Sequence, residues 1–319
     1  MAGSLDLPVV DLASPDLRAA AESIRQACVE HGFFYVTNHG VDHGLLEAVF
    51  AESKRFFDLP MEEKMALRRG ANHRGYTPPY AEKLDASSEF VGDLKESFYI
   101  GPIEDGDTQN DVNQWPSGVC FFLWLSVERF PSWKETMKLY IASAMDTGKR
   151  MASLIALGLD LDAEFFQKIG ALDCPSTFLH LLHYPGEVNE SDSGNYGASA
   201  HSDYGLITLL VTDGTPGLQI RREKDRNPQL WEDVHHVDGA LIVNIGDLLE
   251  RWTNCVFRST LHRVVAVGKE RYSIAFFLDP NPDTVVRCLE SCCSEACPAR
   301  FPPIRSGDYI SGRINSTYK

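Results

Sequence analysis

Residues 199–210 read SAHSDYGLITLL, an apolar run that opens with a histidine and an aspartate separated by one residue. In an extended chain, side chains two positions apart point to the same side of the strand. The pattern therefore predicts that the His201 imidazole and the Asp203 carboxylate project together, although such a tripeptide is also common at solvated strand ends. Other residues must decide whether this pair forms a site.

The sequence around this stretch predicts a sandwich or barrel of short strands. After residue 175, short apolar or alternating runs recur and are separated by Gly, Pro, Asp and Asn. These runs are TFLHLLHY, LITLLV, GLQIRR, LWEDV, ALIVNI, LHRVVAV and YSIAFFL. One short helix, GDLLERW, interrupts the series.

The first half of the chain has a different sequence pattern, which predicts helices between short strands. LPVVDL (7–12) and FFYVT (33–37) read as strands, and each is followed by an amphipathic helix. Ser14 is placed to cap the first of these helices, with Pro15 as the first helical residue. Residues 131–158 carry apolar side chains at helical spacing and predict a long helix, whose methionines we assign to core packing.

We therefore predict a mainly β protein with α-helices, in which a helical N-terminal region and one long helix support a β-barrel or jelly-roll core. The expected regions are an N-terminal α/β region at 1–120 and a helix-backed β core at 121–319 that ends in a C-terminal helix, joined as one structural unit. The pattern weakens between residues 70 and 120, where we expect a long and partly irregular connection.

Composition limits the possible partners and compartments. The 319 residues carry a formal net charge of −15 and no lysine- or arginine-rich patch, which argues against nucleic acid as a partner. We expect no membrane span and no secretion signal, since no apolar run and no basic N-terminal segment of the required kind occurs. Four of the eight cysteines lie in CLESCCSEAC (288–297), a spacing that fits no zinc pattern. A cytoplasmic protein with reduced thiols is the expectation.

His262 is a third candidate ligand beside His201 and Asp203. It lies in STLHRVVAV, which reads as another strand, 59 positions after Asp203. Two imidazoles and one carboxylate on one side of a metal ion leave three coordination positions open, an arrangement that suits non-haem iron(II) enzymes that activate oxygen. We predict that His201, Asp203 and His262 bind a metal ion.

A second polar pair follows in the strand RYSIAFFL. Arg271 and Ser273 are two positions apart and share one face of this strand. The planar guanidinium of arginine can hold a carboxylate through two parallel hydrogen bonds, and the serine hydroxyl adds a third. A surface ion pair is the alternative for Arg271, but its position nine residues after His262 favours a carboxylate clamp.

These residues together make the chain resemble the plant-type iron(II)- and 2-oxoglutarate-dependent dioxygenases of the isopenicillin N synthase-like superfamily. The family pattern is H-x-D, then a distal histidine, then R-x-S, and it is matched in order by His201, Asp203, His262, Arg271 and Ser273. Further fragments are similar in the same order: GFFYVTNHGV (32–41), VNIGDLLERWTN (243–254) and FPPIRSGDY (301–309). Within the family, the sequence resembles those of the smaller hydroxylases near the gibberellin-oxidase and hyoscyamine-hydroxylase-like groups.

The resemblance implies a fold, cofactors and a reaction. The fold is a double-stranded β-helix, or jelly roll, that holds iron(II) near one open end, with 2-oxoglutarate and dioxygen as cosubstrates and ascorbate in a supporting role. The distal carboxylate of 2-oxoglutarate would reach Arg271 and Ser273, and Tyr184 aligns with a family tyrosine that hydrogen-bonds the cosubstrate. The chain departs from the family at Leu182, where an asparagine that contacts 2-oxoglutarate is usual.

Candidate substrate-binding residues are aromatic. Strand alternation extends the face of Arg271 and Ser273 to Phe277, which should point toward the iron. Tyr204, next to the metal aspartate, and Phe98 or Tyr99 in KESFYIG are further candidates. Such a pocket suits an apolar or aromatic small molecule.

The same parity argument sorts the histidines that precede Tyr184. If Tyr184 points inward, Leu182 and His180 also point inward, whereas His183 points to the opposite face of the strand.

The predicted reaction is hydroxylation, desaturation or demethylation of a hormone or specialised metabolite by a monomeric enzyme, with release of succinate and carbon dioxide. Three alternatives remain open at this point. They are an iron(II) oxidase of the same fold that uses no 2-oxoglutarate, a non-catalytic jelly roll that binds a small molecule, and a zinc hydrolase with the same three ligands.

Overall fold

The computed structural model describes residues 6–85, 90–103, 112–116, 119–122, 125–128, 130–186, 194–221 and 229–317. The helices in these ranges are α1 (Leu17–Glu30), α2 (His43–Phe57), α3 (Met61–Met65), α4 (Trp133–Gly158), α5 (Phe165–Lys168), α6 (Asp247–Trp252) and α7 (Ser306–Thr317), with a short 3-10 helix at Glu290–Cys292. The strands of the first half are β1 (Val9–Asp11), β2 (Phe33–Thr37), β3 (Gly75–Thr77), β4 (Glu96–Ile100), β5 (Val119–Phe122) and β6 (Leu125–Glu128). Those of the second half are β7 (Ser176–Tyr184), β8 (Tyr196–His201), β9 (Ile207–Thr212), β10 (Leu218–Arg221), β11 (Trp231–Asp233), β12 (Leu241–Ile245), β13 (His262–Val265), β14 (Arg271–Asp279), β15 (Val285–Val286) and β16 (Ile304–Arg305).

Two sheets form the β core. The larger has eight strands in the order β1-β2-β12-β9-β14-β7-β4-β3, and the smaller has four in the order β11-β10-β13-β8. Apart from the parallel β1–β2 pair, neighbouring strands in both sheets run antiparallel. Two antiparallel sheets packed face to face form the jelly roll that the sequence predicted.

The larger sheet is covered on both faces, as β14 illustrates. Tyr272, Ile274, Phe276 and Leu278 belong to the apolar core that also contains α1, α2 and α4. Ala275 packs instead in the core between the two sheets. This alternation leaves the other odd-numbered side chains of β14 facing the smaller sheet, which is where the site lies.

Helix α4 is the long supporting helix that the sequence predicted. Met137 and Met151 are fully buried in the core, as expected from their helical spacing. The helix comes so close to β14 at Gly148 that a Cβ atom there would lie 2.9 Å from Cδ2 of Leu278. A larger residue at position 148 would therefore force the Leu278 side chain, on the strand that carries Arg271, to shift.

Two expectations about the first half of the chain were wrong in detail. Helix α1 begins at Leu17, because the Asp16 side chain and not Ser14 accepts the capping hydrogen bond, from the Ala19 amide at 3.0 Å. The 70–120 segment is less irregular than expected, since it contributes β3 and β4 to the larger sheet. Both strands are short, so their alternation of apolar and polar residues was too brief to predict them from the sequence. Parts of this segment, at 104–111 and 117–118, lie outside the described residues.

Within the described ranges, no helix combines the length and apolar character required to cross a bilayer.

Candidate active site

The three predicted metal ligands meet at one end of the smaller sheet. His201 is the last residue of β8 and His262 the first of β13, and the two are direct partners across these antiparallel strands. Asp203 lies in the loop after β8, so the expectation that it continues a strand begun by His201 was wrong. Its Oδ1 nevertheless lies 3.8 Å from His201 Nε2 and 3.6 Å from His262 Nε2. The bend of the chain after β8 brings the carboxylate to the imidazoles.

Backbone carbonyls fix the orientation of both imidazoles. Nδ1 of His201 lies 2.7 Å from the Ser199 carbonyl oxygen, and Nδ1 of His262 lies 3.2 Å from the Thr260 carbonyl oxygen. A carbonyl oxygen can only accept, so each Nδ1 must carry the hydrogen. Each Nε2 therefore presents a lone pair toward Asp203, as a metal ligand requires.

Two side chains orient the Asp203 carboxylate in the same manner. Its Oδ2 accepts hydrogen bonds from the Thr208 hydroxyl at 2.6 Å and from the Asn244 amide at 2.7 Å. Since Oδ2 is occupied, Oδ1 is the oxygen left to face the two imidazoles.

The protonation states suit metal binding. Burial, assisted by the neighbouring His262 imidazole, lowers the pKa of His201 to about 4, so this ring is neutral at physiological pH. Burial acts to raise the pKa of the Asp203 carboxyl, but the two imidazoles and the two hydrogen bonds hold it below its ordinary value. The site thus offers a neutral nitrogen at His201 and an ionised oxygen at Asp203.

This donor set fits iron(II). One ligand atom from each of His201, Asp203 and His262 lies within 4.8 Å of the others, and no other group of three His, Cys, Asp or Glu residues in the described ranges does so. Two nitrogens and one oxygen on one side of an ion leave positions open for reactants. All three residues line a single cavity between the sheets. The following cysteines are free thiols: Cys28, Cys174, Cys255, Cys288, Cys292, Cys293 and Cys297.

Arg271 provides a buried positive charge in the same cavity. Its side chain is only 2% exposed, and its guanidinium lies over the Tyr184 ring, 4.8 Å from the centroid. Nη1 donates to the Ser273 hydroxyl at 3.1 Å and Nε to the Thr215 carbonyl at 3.2 Å. No carboxylate of the described residues lies within 4.0 Å of this guanidinium. The structure therefore brings together Arg271, Ser273 and Tyr184 around a charge that lacks a protein counter-ion.

Leu182 occupies the position where the family usually has asparagine. It is 7% exposed and packs in the core between the sheets. Its cross-strand neighbours are Ser273 on β14 and Ser97 on β4. No amide replaces the missing asparagine in these two adjacent positions.

The cavity is bordered by facing residues of β7 and β14. The alternation predicted for these strands is confirmed, because Leu182 and His180 line the cavity while His183 contacts Glu96 and Glu270 on the other face. The successive facing pairs are Arg271–Tyr184, Ser273–Leu182, Ala275–His180, Phe277–Phe178 and Asp279–Ser176. Arg271 and Ser273, the predicted carboxylate clamp, thus lie at one end of this series of pairs, and Phe277–Phe178 lies toward the other.

The aromatic candidates do not all reach the cavity. Phe277 and Tyr204 line it, and Tyr204 also donates or accepts a hydrogen bond of 2.6 Å with the Thr317 hydroxyl of α7. Phe98 is fully buried among Phe56 and Trp133 on the helix side of the sheet, so its assignment to the substrate was wrong. Side chains alternate between the two faces of β4, and Phe98 points to the same face as its partner Leu181, away from the cavity.

Tyr99, the neighbour of Phe98, takes the inward position. It lies opposite His180 on the adjacent strand and lines the cavity. Once β4 is known to pair with β7, the same alternation that places His180 inward also places Tyr99 inward.

Several cavity residues were not identified from the sequence. Asp279 continues the inward face of β14 by one further step beyond Phe277, so its position could have been predicted. It is 6% exposed, and burial next to the negative charge of Asp203 raises the pKa of its carboxyl to about 7. Ile310 and Ile314 of α7 also line the cavity, but only the packing of that helix reveals this.

A buried ion cluster forms another part of the wall. The Lys95 ammonium lies 2.7 Å from a Glu82 carboxylate oxygen and 3.3 Å from an Asp93 carboxylate oxygen. Arg69 lies 3.5 Å from the second Glu82 oxygen. These residues come from the weakly patterned 70–100 region and its flank, where no sequence signal identified them.

Comparison with known proteins agrees with this geometry. Residues 7–118 match the family model described as non-haem dioxygenase in morphine synthesis N-terminal, and residues 176–280 match that of the 2OG-Fe(II) oxygenase superfamily. The chain belongs to this oxygenase superfamily. It is therefore an oxidoreductase that uses iron(II), 2-oxoglutarate and dioxygen, and the resemblance seen in the sequence is confirmed.

Similar proteins match over nearly their whole length. Azadirone synthase LFS from Melia azedarach is 40% identical over 318 residues, which cover 98% of this chain and 93% of that protein. Kihadalactone A synthase LFS from Citrus sinensis is 41% identical over 313 residues, covering 97% and 91%. The crystal structure of a full-length Neurospora crassa protein in complex with alpha-KG and thymine superposes with a TM-score of 0.83 at 29% identity, covering 100% of this chain and 99% of that one.

Proposed function

We propose that this protein oxidises a small, largely apolar or aromatic metabolite at an iron(II) ion held by His201, Asp203 and His262. In this proposal Arg271, Ser273 and Tyr184 hold the distal carboxylate end of 2-oxoglutarate. One observation carries the proposal: a three-ligand metal site and a buried cation without a protein counter-ion line the same cavity. A ligand with one chelating end and one carboxylate end satisfies both.

Bound iron(II) and 2-oxoglutarate supply the oxidising chemistry, in which dioxygen oxidises the substrate while 2-oxoglutarate becomes succinate and carbon dioxide. The protein contributes position and environment. The carbonyls of Ser199 and Thr260 hold the imidazoles in the ligating tautomer, and Asn244 holds the carboxylate. The fork of Arg271 sets the direction from which the cosubstrate reaches the metal site.

The substrate is expected in the half of the cavity beyond Ser273. Phe277 and Tyr204 are proposed to contact it, and Tyr99 replaces Phe98 in this role. Ile310 and Ile314 of α7 close this half with apolar surface. Aromatic and aliphatic walls favour a hydrocarbon skeleton with few polar groups.

The setting is proposed to be specialised metabolism in a plant, in the cytoplasm. The relatives from Melia azedarach and Citrus sinensis are named as synthases of azadirone and kihadalactone A, which supports this setting. We also propose that the chain acts as a monomer and as one structural unit, since strands from 1–120 and from 121–319 share the larger sheet.

The test is whether succinate forms in step with an oxidised product. Iron(II)-loaded protein is incubated with 2-oxoglutarate, dioxygen and a collection of terpenoid and aromatic metabolites, and succinate and product are quantified together. The proposal expects equal amounts of both, and neither from His201→Ala. Product formed equally well without 2-oxoglutarate would identify an oxidase of the same fold, and metabolite binding without any turnover would identify a binding protein.

A further inference from the structure

His180 occupies the middle of the cavity wall and is held there by stacking. Its ring lies on Tyr99 with centroids 3.7 Å apart and an interplanar angle of 17°, and Phe277 lies on another side at 6.1 Å. The side chain is 4% exposed and lines the cavity. Two aromatic neighbours therefore fix the imidazole without using its nitrogens.

The Nε2 atom of His180 has no protein partner in the described part of the chain. Nε2 is fully buried and makes no hydrogen bond, whereas Nδ1 of His201, His262 and His183 each has a hydrogen-bond partner. Buried polar atoms are nearly always paired, and leaving one unpaired is unfavourable. A phenylalanine would fill the same stack without that cost, so the imidazole is suited to a partner that enters the cavity.

The charge of His180 limits what that partner can be. Burial lowers the pKa of its imidazole to about 3, opposed by the negative charge of Glu82 and assisted by Lys95. The ring is therefore neutral under working conditions and offers no net attraction to a carboxylate. A neutral imidazole has one N–H donor and one acceptor nitrogen, which matches a hydroxyl or a carbonyl oxygen.

The position of His180 indicates that the partner is the substrate. His180 faces Ala275, two steps along the strand ladder from the Arg271–Tyr184 pair and one step before Phe277–Phe178. Two such steps correspond to about 13 Å along the strands. The cosubstrate clamp thus lies on one side of His180 and the aromatic substrate region on the other.

Resting on the function proposed above, we infer that His180 is a specificity-determining residue that hydrogen-bonds a neutral hydroxyl or carbonyl oxygen of the substrate. The substrate class is accordingly an apolar or aromatic skeleton that carries at least one such oxygen away from the carbon that is oxidised. Tyr99 stacks on the imidazole and keeps it in register with this oxygen.

The experiment measures binding to the holoenzyme without turnover. Wild type, His180→Phe and His180→Gln are loaded with iron(II) and 2-oxoglutarate in the absence of oxygen and titrated calorimetrically with indanone, indanol and indane, which share one bicyclic skeleton. Wild type is expected to bind indanone or indanol about fivefold more tightly than indane, since one hydrogen bond is worth on the order of 1 kcal/mol.

The variants separate hydrogen bonding from packing. His180→Phe should bind all three probes with the affinity that wild type has for indane, whereas His180→Gln should restore part of the preference. The affinity for 2-oxoglutarate should not change in either variant. Equal wild-type affinities for the three probes, including no detectable binding, would overturn the inference, as would a preference retained by His180→Phe.

The outcome for this inference is independent of that for the reaction. A probe preference without succinate-coupled oxidation would refute the proposed function and leave His180 as a recognition residue. Succinate-coupled oxidation in an enzyme whose His180→Phe variant discriminates as wild type does would refute only the role of His180. A weaker affinity for 2-oxoglutarate in His180→Phe would assign the residue to the cosubstrate and overturn the inference.

Discussion

Replacing Arg271 should separate cosubstrate binding from protein stability. The guanidinium is buried and lines the cavity, and among the described residues it donates hydrogen bonds to the Ser273 hydroxyl and the Thr215 carbonyl and lies over the Tyr184 ring. In Arg271→Met the carboxylate of 2-oxoglutarate would lose a charge-assisted, two-point contact. Hydrogen bonds to charged groups contribute about 1.5–3 kcal/mol each, and two contacts in the lower part of this range give an expected total loss of about 3–4 kcal/mol.

That loss corresponds to a rise of roughly 100- to 1,000-fold in the Kd for 2-oxoglutarate. Arg271→Lys keeps the positive charge but lacks the planar guanidinium, so its Kd for 2-oxoglutarate should lie between those of Arg271→Met and wild type. Ser273→Ala removes a single hydrogen bond to the carboxylate, worth about 1.5 kcal/mol at the lower end of this range, and should raise the Kd by about tenfold. The assay is anaerobic calorimetry of 2-oxoglutarate binding to the iron(II) protein.

Stability without 2-oxoglutarate should change little or in the opposite direction. A buried cation without a counter-ion is unfavourable, so Arg271→Met should not lower the free energy of unfolding of the ligand-free protein by the amount it costs in binding. Arg263 on β13 of the smaller sheet provides a matched control, because its guanidinium stacks on the ring of Trp231 on β11, 4.1 Å from the centroid, and does not line the cavity. Wild-type 2-oxoglutarate affinity in Arg271→Met, or an equal loss in Arg263→Met, would refute the assignment of the clamp.

Three further predictions concern the wall of the cavity and the metal ligands. Phe98→Ala should lower the free energy of unfolding by about 3–5 kcal/mol in denaturant titrations and leave substrate preference unchanged. Phe277→Ala should change substrate preference and leave the free energy of unfolding nearly unchanged. Asn244→Ala should weaken iron(II) binding about 10- to 100-fold in anaerobic equilibrium dialysis, since it removes a hydrogen bond that orients Asp203; unchanged affinity would contradict this. Folding raises the pKa of the Asp279 carboxyl from 3.8 to about 7, so the folded protein favours the protonated form. The contribution of this carboxyl to the free energy of unfolding is therefore lost as pH rises from about 4 through 7. Asp279→Asn should therefore stabilise the metal-free protein at pH 8, by at most about 4 kcal/mol, and not at pH 4; a variant with the wild-type pH dependence of unfolding would exclude this explanation.

The sequence predicted what periodicity and spacing can encode. The alternation of β7 and β14 was sufficient to place Arg271, Ser273 and Phe277 on one face, and the same rule separated His180 from His183. The long helix α4 was predicted because its apolar spacing extends over many turns. These features are local, so a single segment contains all the information that they need.

What could not be predicted depends on strand pairing and chain reversal. The side chain of Phe98 was assigned to the cavity because β4 is five residues long and its partner strand was unknown. The convergence of Asp203 with His201 was predicted for the wrong reason, since the loop after β8 and not a shared strand face brings them together. Contributions from α7, such as Ile310, require tertiary packing that no local pattern records.

The proposed activity depends most on a ferrous ion at the meeting point of His201, Asp203 and His262. Crystals grown without oxygen in iron(II) and 2-oxoglutarate, with diffraction recorded on both sides of the iron absorption edge, would locate this ion directly. We expect one strong anomalous peak within coordination distance of both Nε2 atoms and the Asp203 carboxylate, with 2-oxoglutarate extending from it to Arg271. An iron peak elsewhere, or one bonded to neither histidine, would contradict it.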